Sequence, residues 1–148
     1  MTRSVNVAPA STAVEPTCAG HAYGAVAGFL EQADCTRLVR GLWTVDVAGH
    51  PAVVSVAHVT MADAGVATAL LTLANSNDTG NVSDLLREGR TYPGGPTSLP
   101  TDPREYASEP NGAVVTIVET AWTDGTTDPA LDARLDSLAS DALGLPAQ

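Results

Sequence analysis

The spacing of apolar positions changes several times along the chain, and each change predicts an element. Tyr23, Val26, Ala27, Leu30 and Ala33 recur at helical spacing and predict a first helix near 21–33. Gly20, Gly24 and Gly28 fall on one side of it and predict a smooth stripe where the helix lies close to a neighbouring element. From Arg37 the period shortens to two, with Val39, Gly41, Trp43, Val45 and Val47 on one face and Leu38, Arg40, Leu42, Thr44 and Asp46 on the other. Val53 to Thr60 continues as a second strand after a turn at Ala48 to Pro51, so 37–60 reads as a hairpin. Asp63 is placed to cap a second helix, about 63–75, with Val66, Ala67, Leu70, Leu71 and Ala74 on its apolar face.

Regularity then fades between Asn75 and Pro103. Ser83 to Gly89 can form one or two helical turns, capped by Ser83 and ended by Gly89. Pro93-Gly94-Gly95-Pro96 and the prolines from Pro100 to Pro103 break the rest, and connections of this length tend to be functional or disordered. Order returns with a strand over Arg104–Glu109, a turn at Pro110 to Gly112 and a strongly β-branched run from Ala113 to Thr120. Asp128-Pro129 starts a last helix with Leu131, Leu135, Leu138 and Ala142 turned inward. The order α-β-β-α-loop-β-β-α predicts an α+β domain over 18–145, a single antiparallel four-stranded sheet with about three helices packed on it. Met1 to Thr17 lacks the apolar core of a signal peptide and reads as a flexible tether.

Composition narrows the function classes. At 148 residues, 44% of them hydrophobic, the chain is long enough for one core, and no apolar run reaches the roughly 18 residues needed to cross a bilayer. The net charge is −10, with −3 carried by residues 1–100 (eight acids, five arginines) and −7 by 101–148 (nine acids, two arginines). Such a surface repels phosphate backbones and anionic lipid, so neither nucleic acid nor direct membrane insertion is an expected partner. Lysine is absent, which removes Schiff-base chemistry and the phosphate-loop lysine, and no cofactor is implied.

Cys18 and Cys35 bear on compartment. An even pair suits one disulfide in an oxidising environment, worth roughly 3 kcal/mol on the chain-entropy model. An unbroken helix over Ala19–Asp34 would hold them about 25 Å apart, so a bridge demands a shorter helix such as Ala22–Glu31, with both flanks folded back.

Candidate chemistry is sparse. Cys35 with His58 or His50 is the available cysteine–histidine pair, but Asp34 beside Cys35 disfavours a thiolate. Cys18-x-x-His21 supplies only half of a paired zinc motif, and no metal is assigned. No Gly-x-Ser-x-Gly occurs. His58, on the strand face of Val54 and Val56, reads as a hydrogen-bonded core histidine, and the sequons at Asn77 and Asn81 are discounted in an alanine- and valine-rich, lysine-free composition of bacterial character. What remains is the irregular segment, where Asn81, Asp84, Arg87, Arg90 and Tyr92 gather residue types that interfaces favour, with Trp122 as an aromatic anchor if exposed.

Cys18-x-Gly20-x-x-Tyr23-Gly24, then Asp34-Cys35-Thr36-Arg37-Leu38-Val39-Arg40, then Val53–Val59, resembles extracytoplasmic domains of uncharacterised membrane-anchored proteins from high-GC Gram-positive bacteria. The resemblance implies a tethered domain outside the membrane and brings no catalytic residues with it. The leading expectation is a non-enzymatic extracytoplasmic sensor or binding domain, of unknown protein or small-molecule partner, using the 75–103 segment. The alternatives are a small hydrolase or thiol enzyme built on Cys35 and a histidine, and a structural subunit of a larger assembly. A cytoplasmic location stays open beside the extracytoplasmic one.

Overall fold

A computed structural model describes residues 7–76, 78–100, 104–126 and 128–145. The chain is α+β, with strands β1 (Val7–Glu15), β2 (Ala22–Tyr23), β3 (Arg37–Val47), β4 (His50–Thr60), β5 (Asn81–Val82), β6 (Arg104–Asn111) and β7 (Val114–Trp122). Its helices are α1 (Gly24–Gln32), α2 (Ala64–Ala74) and α3 (Pro129–Asp141), the last followed by a short 3-10 turn over Ala142–Gly144. The main sheet is antiparallel in the order β1-β3-β4-β7-β6, and β2 and β5 form a separate two-stranded ladder. The predicted hairpins are present, as are the caps predicted for α2 and α3: Asp63 accepts from the Val66 N–H at 2.9 Å, and Asp128 from the Ala130 N–H at 2.9 Å.

The sheet has five strands rather than the expected four because β1 comes from the segment read as a tether. Val7 to Glu15 pairs with β3 from Val45 to Leu38, with a register shift between Pro9 and Ser11. Both outer strands carry a proline, Pro9 in β1 and Pro110 in β6, where a missing N–H removes no central ladder bond and discourages further strand addition. The expectation of a tether holds for none of the residues from Val7 to Glu15, and Met1 to Asn6 lie outside the described residues.

Because side chains alternate across a strand, the register assigns every core residue to one of two faces. Val54 and Val56 of β4, with Val118 and Trp122 of β7, face α3 and pack on Leu135, Leu138 and Ala139. Ala57 and Val59, with Leu38, Val115 and Ile117, face the opposite way onto Val26 and Leu30 of α1, Ala67 and Leu70 of α2, and the two cysteines. Further along that second face, Leu42, Val53 and Ala121 are covered by Leu85, Leu86 and Leu99 of the irregular segment. Helices therefore lie on both faces, and the long loop is itself a packed cover. Its three buried leucines explain why a segment with little regular structure is held in place.

Two glycines allow α1 to approach β5. A Cβ on Gly80 (φ +75°) would lie 2.1 Å from the Tyr23 carbonyl oxygen, and one on Gly24 (φ +67°) would lie 2.7 Å from that of Thr79. The expected close approach is thus real at Gly24, while Gly20 and Gly28 face open space.

Candidate functional site

The cover is built around a single turn. Ser83 donates its N–H to the His21 carbonyl at 2.8 Å, continuing the β2–β5 pairing up to the start of residues 84–90. Asp84, rather than the expected Ser83, caps the turn by accepting from the Arg87 N–H at 2.8 Å. Gly89 (φ +81°) ends it: the Gly89 N–H reaches the Leu86 carbonyl and the Arg90 N–H the Leu85 carbonyl, each at 2.9 Å. This is the closing geometry glycine supplies at the end of a helical turn. The result is a short amphipathic unit. Leu85 and Leu86 are buried, whereas Arg87, Gly89, Arg90 and Thr91 are exposed.

Beneath it lies a charge. Arg40 stands on the covered face of β3, between Leu38 and Leu42, and is only 1% exposed. Its cross-strand neighbours are Ala13 of β1 and Ala57 of β4, small enough to leave room for a guanidinium. Nη1 donates to the Ser83 carbonyl at 2.9 Å and lies 2.8 Å from Glu88 Oε2, while Nη2 donates to Glu88 Oε1 at 3.0 Å. Glu88 thus meets Arg40 through both oxygens, the fork geometry that suits a guanidinium and a carboxylate. His21 Nδ1 joins Glu88 Oε2 at 2.9 Å, and its Nε2 stands 3.8 Å from Glu15. Glu15 in turn meets Arg90 at 3.5 Å. Desolvation works against the Glu88 charge, but the hydrogen bonds and positive charge of Arg40 and His21 outweigh it and hold the carboxyl below its ordinary value.

A disulfide fixes the other side of this cluster. Cys18 and Cys35 are bridged with their Cα atoms 5.5 Å apart, which the shorter α1 permits because both flanks fold back alongside it. Asp34 clamps the junction: Oδ1 accepts from the N–H groups of Cys18 and Cys35, both at 2.8 Å, and Oδ2 accepts from the Thr17 hydroxyl. Slight desolvation of Asp34 is outweighed by these bonds, led by that from Thr17, and its pKa is lowered. The sulfurs and this carboxylate lie within 4.8 Å of one another, but the sulfurs are bonded together and the carboxylate oxygens are taken by those three donors. As a disulfide the group does not fit a metal ion. The bridge points to an oxidising environment.

The structure separates the residues predicted for the site. Arg87 lies with its guanidinium 3.6 Å from the centroid of the Tyr23 ring, and Arg90, three residues on, has a side chain 48% exposed. Tyr92 is half-buried against the leucine cluster, and burial pushes its phenol pKa up. Asp84 is a cap. Asn81 is buried, its amide N–H directed to the Tyr106 hydroxyl at 3.4 Å, so this sequon offers no accessible acceptor; Asn77 lies outside the described residues. Trp122 does not meet the condition set for an anchor, exposure: it is 2% exposed, packs under α3 and donates its indole N–H to Asp132 at 2.9 Å. Glu15, His21, Tyr23, Arg40 and Glu88 were not singled out as site residues. The available signal was Arg40, a charge flanked on its own strand face by Leu38 and Leu42.

The other histidines serve the frame. His58 bonds Thr116 Oγ1 through Nδ1 at 2.8 Å and donates from Nε2 to the Leu145 carbonyl at 2.9 Å, so both nitrogens are engaged, as expected of a core histidine. It belongs to the α3 face and Cys35 to the opposite one, so the two do not meet. At the far end of the sheet His50 Nδ1 meets both Asp124 Oδ2, at 2.8 Å, and Thr126 Oγ1, at 2.9 Å. Carboxylate and hydroxyl thus approach the same ring nitrogen, which gives no relay from one through the ring to the other. The hydrogen bonds from Thr126 and then His50 lower the Asp124 pKa to about 2.

Comparison with family models, with curated proteins and with solved structures returned no match. Among the described residues no helix is long and apolar enough to cross a membrane.

Proposed function

We propose that the chain is a non-enzymatic extracytoplasmic binding domain of bacterial type, and that it engages its partner through the 84–92 segment and the adjoining Tyr23. The observation that carries this reading is the construction of the segment. An irregular stretch is fastened from below by Arg40–Glu88 and by Leu85, Leu86 and Leu99, so that Arg87 and Arg90 are presented from a fixed support. A rigid platform beneath an irregular, charged surface is how binding loops are usually supported. The disulfide favours an extracytoplasmic site, and the resemblance noted above agrees with it.

The test is photo-cross-linking in the native cell, with a benzophenone amino acid at Thr91 and, as control, at Ser137 on the exposed side of α3. The reading expects a discrete adduct from position 91 that position 137 does not give. Identical adducts from both positions, or none from position 91, overturn it. An adduct of the chain with itself transfers support to the structural-subunit reading.

A further inference from the structure

We infer that the Arg87–Arg90 turn binds a compact carboxylate-bearing ligand, such as an acidic peptide segment of a partner protein; this rests on the binding reading above and assigns the chemistry of its ligand. Three observations lead there. First, the Arg87 guanidinium lies over Tyr23, its Cζ 3.6 Å from the ring centroid, a charge–π contact that places the side chain without neutralising it. Among the described residues it carries no ion pair. Second, the acids nearest in sequence are already committed. Glu88 is held by Arg40 and His21, and Asp84 caps the turn. Third, Arg90 already holds a carboxylate, that of Glu15, but at 3.5 Å and with nearly half of its side chain exposed. Glu15 marks the position an incoming carboxylate takes when it displaces a loose internal one.

The overall charge selects the size of the ligand. An extended polyanion spans several screening lengths of about 8 Å and meets the whole surface at −10, whereas a short acidic group meets only the arginine turn. The chemistry that fits is therefore a carboxylate or two on a compact or locally acidic segment, held by paired N–H donors.

The experiment is an amide NMR titration of the full, disulfide-intact chain with tetraglutamate peptide, with inorganic phosphate, and with tetralysine as control. Tetraglutamate is expected to give saturable shifts at Tyr23, Arg87, Gly89, Arg90 and Thr91. Each of Arg87→Gln and Arg90→Gln is expected to weaken binding about tenfold while leaving the spectrum of the distant sheet unchanged. Absence of saturable shifts on this turn, or shifts unaffected by both substitutions, overturns the assignment. Stronger saturable binding of inorganic phosphate than of tetraglutamate overturns the carboxylate in favour of a phosphate source. If the Thr91 adduct persists undiminished in the R87Q/R90Q chain, the carboxylate assignment fails while the binding reading stands. If the parent chain gives no Thr91 adduct, the binding reading fails.

Discussion

The two faces of the main sheet are held by different physics. Under α3 the sheet offers Val54, Val56, Val118 and Trp122 to Leu135, Leu138 and Ala139, a mainly apolar contact with single hydrogen bonds from Thr120 to the Leu135 carbonyl and from Trp122 to Asp132. On the opposite face the layer is made of α1, α2, a disulfide, a proline-rich cover and a buried arginine joined to a half-buried glutamate and histidine. A regular amphipathic helix can supply a large apolar area from one element. A cover with three buried leucines cannot, and it is fastened by covalent and ionic ties instead. The comparison predicts that damage to the first face is global and damage to the second is local.

The largest effect should come from the apolar face. Trp122→Ala removes a side chain that is 2% exposed and strands the Asp132 contact, and should cost about 4 kcal/mol in urea denaturation, with all probes unfolding together. The paired substitution Cys18→Ser with Cys35→Ser should cost about 3 kcal/mol. Its effect should fall first on residues 81–90, because β2, which pairs with β5, begins four residues after Cys18, and the Cys18 carbonyl accepts from the His21 N–H at 2.9 Å. Hydrogen exchange checks this: amides of 81–90 should lose protection while the β4–β7 ladder keeps it. Equal loss in both places would erase the distinction between the faces.

Within the second face, Glu88 and Glu15 sharpen the same point. Glu88→Ala leaves Arg40 buried with only the Ser83 carbonyl as a strong acceptor and should cost about 3 kcal/mol, the low end for breaking a buried pair because the Glu88 side chain is 21% exposed. Glu15→Ala loses longer contacts at 3.5 and 3.8 Å and should cost less than about 1 kcal/mol. Thermal denaturation of the two variants decides it, and similar losses would mean that the cluster acts as one network rather than as an anchored pair with a loose rim.

The helices and central hairpins were legible because each is announced by its period, and α2 and α3 by a cap as well: Asp63 and Asp128 occupy their cap positions, and 37–60 folds as the expected hairpin. The strand β1 was not legible. Val-Ala-Pro-Ala-Ser-Thr-Ala-Val-Glu has small side chains on both faces and a proline, so neither alternation nor bulk marks it, and its strand state depends on an available β3 edge. The cover was visible as irregular, but its burial was not, since Leu85, Leu86 and Leu99 follow no repeating spacing. Of the candidate site residues, Arg87 and Arg90 lie exposed on the turn and Asp84 caps it. The cluster beneath them joins Glu15, His21, Arg40 and Glu88 from four separate stretches of chain, and only the tertiary fold brings them together.

The smallest effect separates the faces by their response to acid. On the covered face, Glu88 has a pKa below its ordinary value of 4.5, so the folded state favours its charged form. That stability is fully present above the ordinary value and is lost as the pH falls through the lowered one. On the α3 face, Glu105 is shifted the opposite way, by desolvation and then by the charge of Asp136, with Asp132 adding to it. A raised carboxyl pKa means the folded state binds the proton more tightly than the unfolded chain does. Its ionised form therefore penalises folding at neutral pH, and the penalty disappears as the pH falls to the ordinary value. Urea midpoints from about pH 7 to about pH 3 should show the parent chain more stable than Glu88→Gln and less stable than Glu105→Gln at the neutral end. Both differences should shrink on acidification, the Glu105 difference closing first and the Glu88 difference only below the ordinary carboxyl range. Closure in the reverse order would mean that Arg40 and His21 do not hold the Glu88 charge in place, and the ionic fastening of the cover would have to be abandoned.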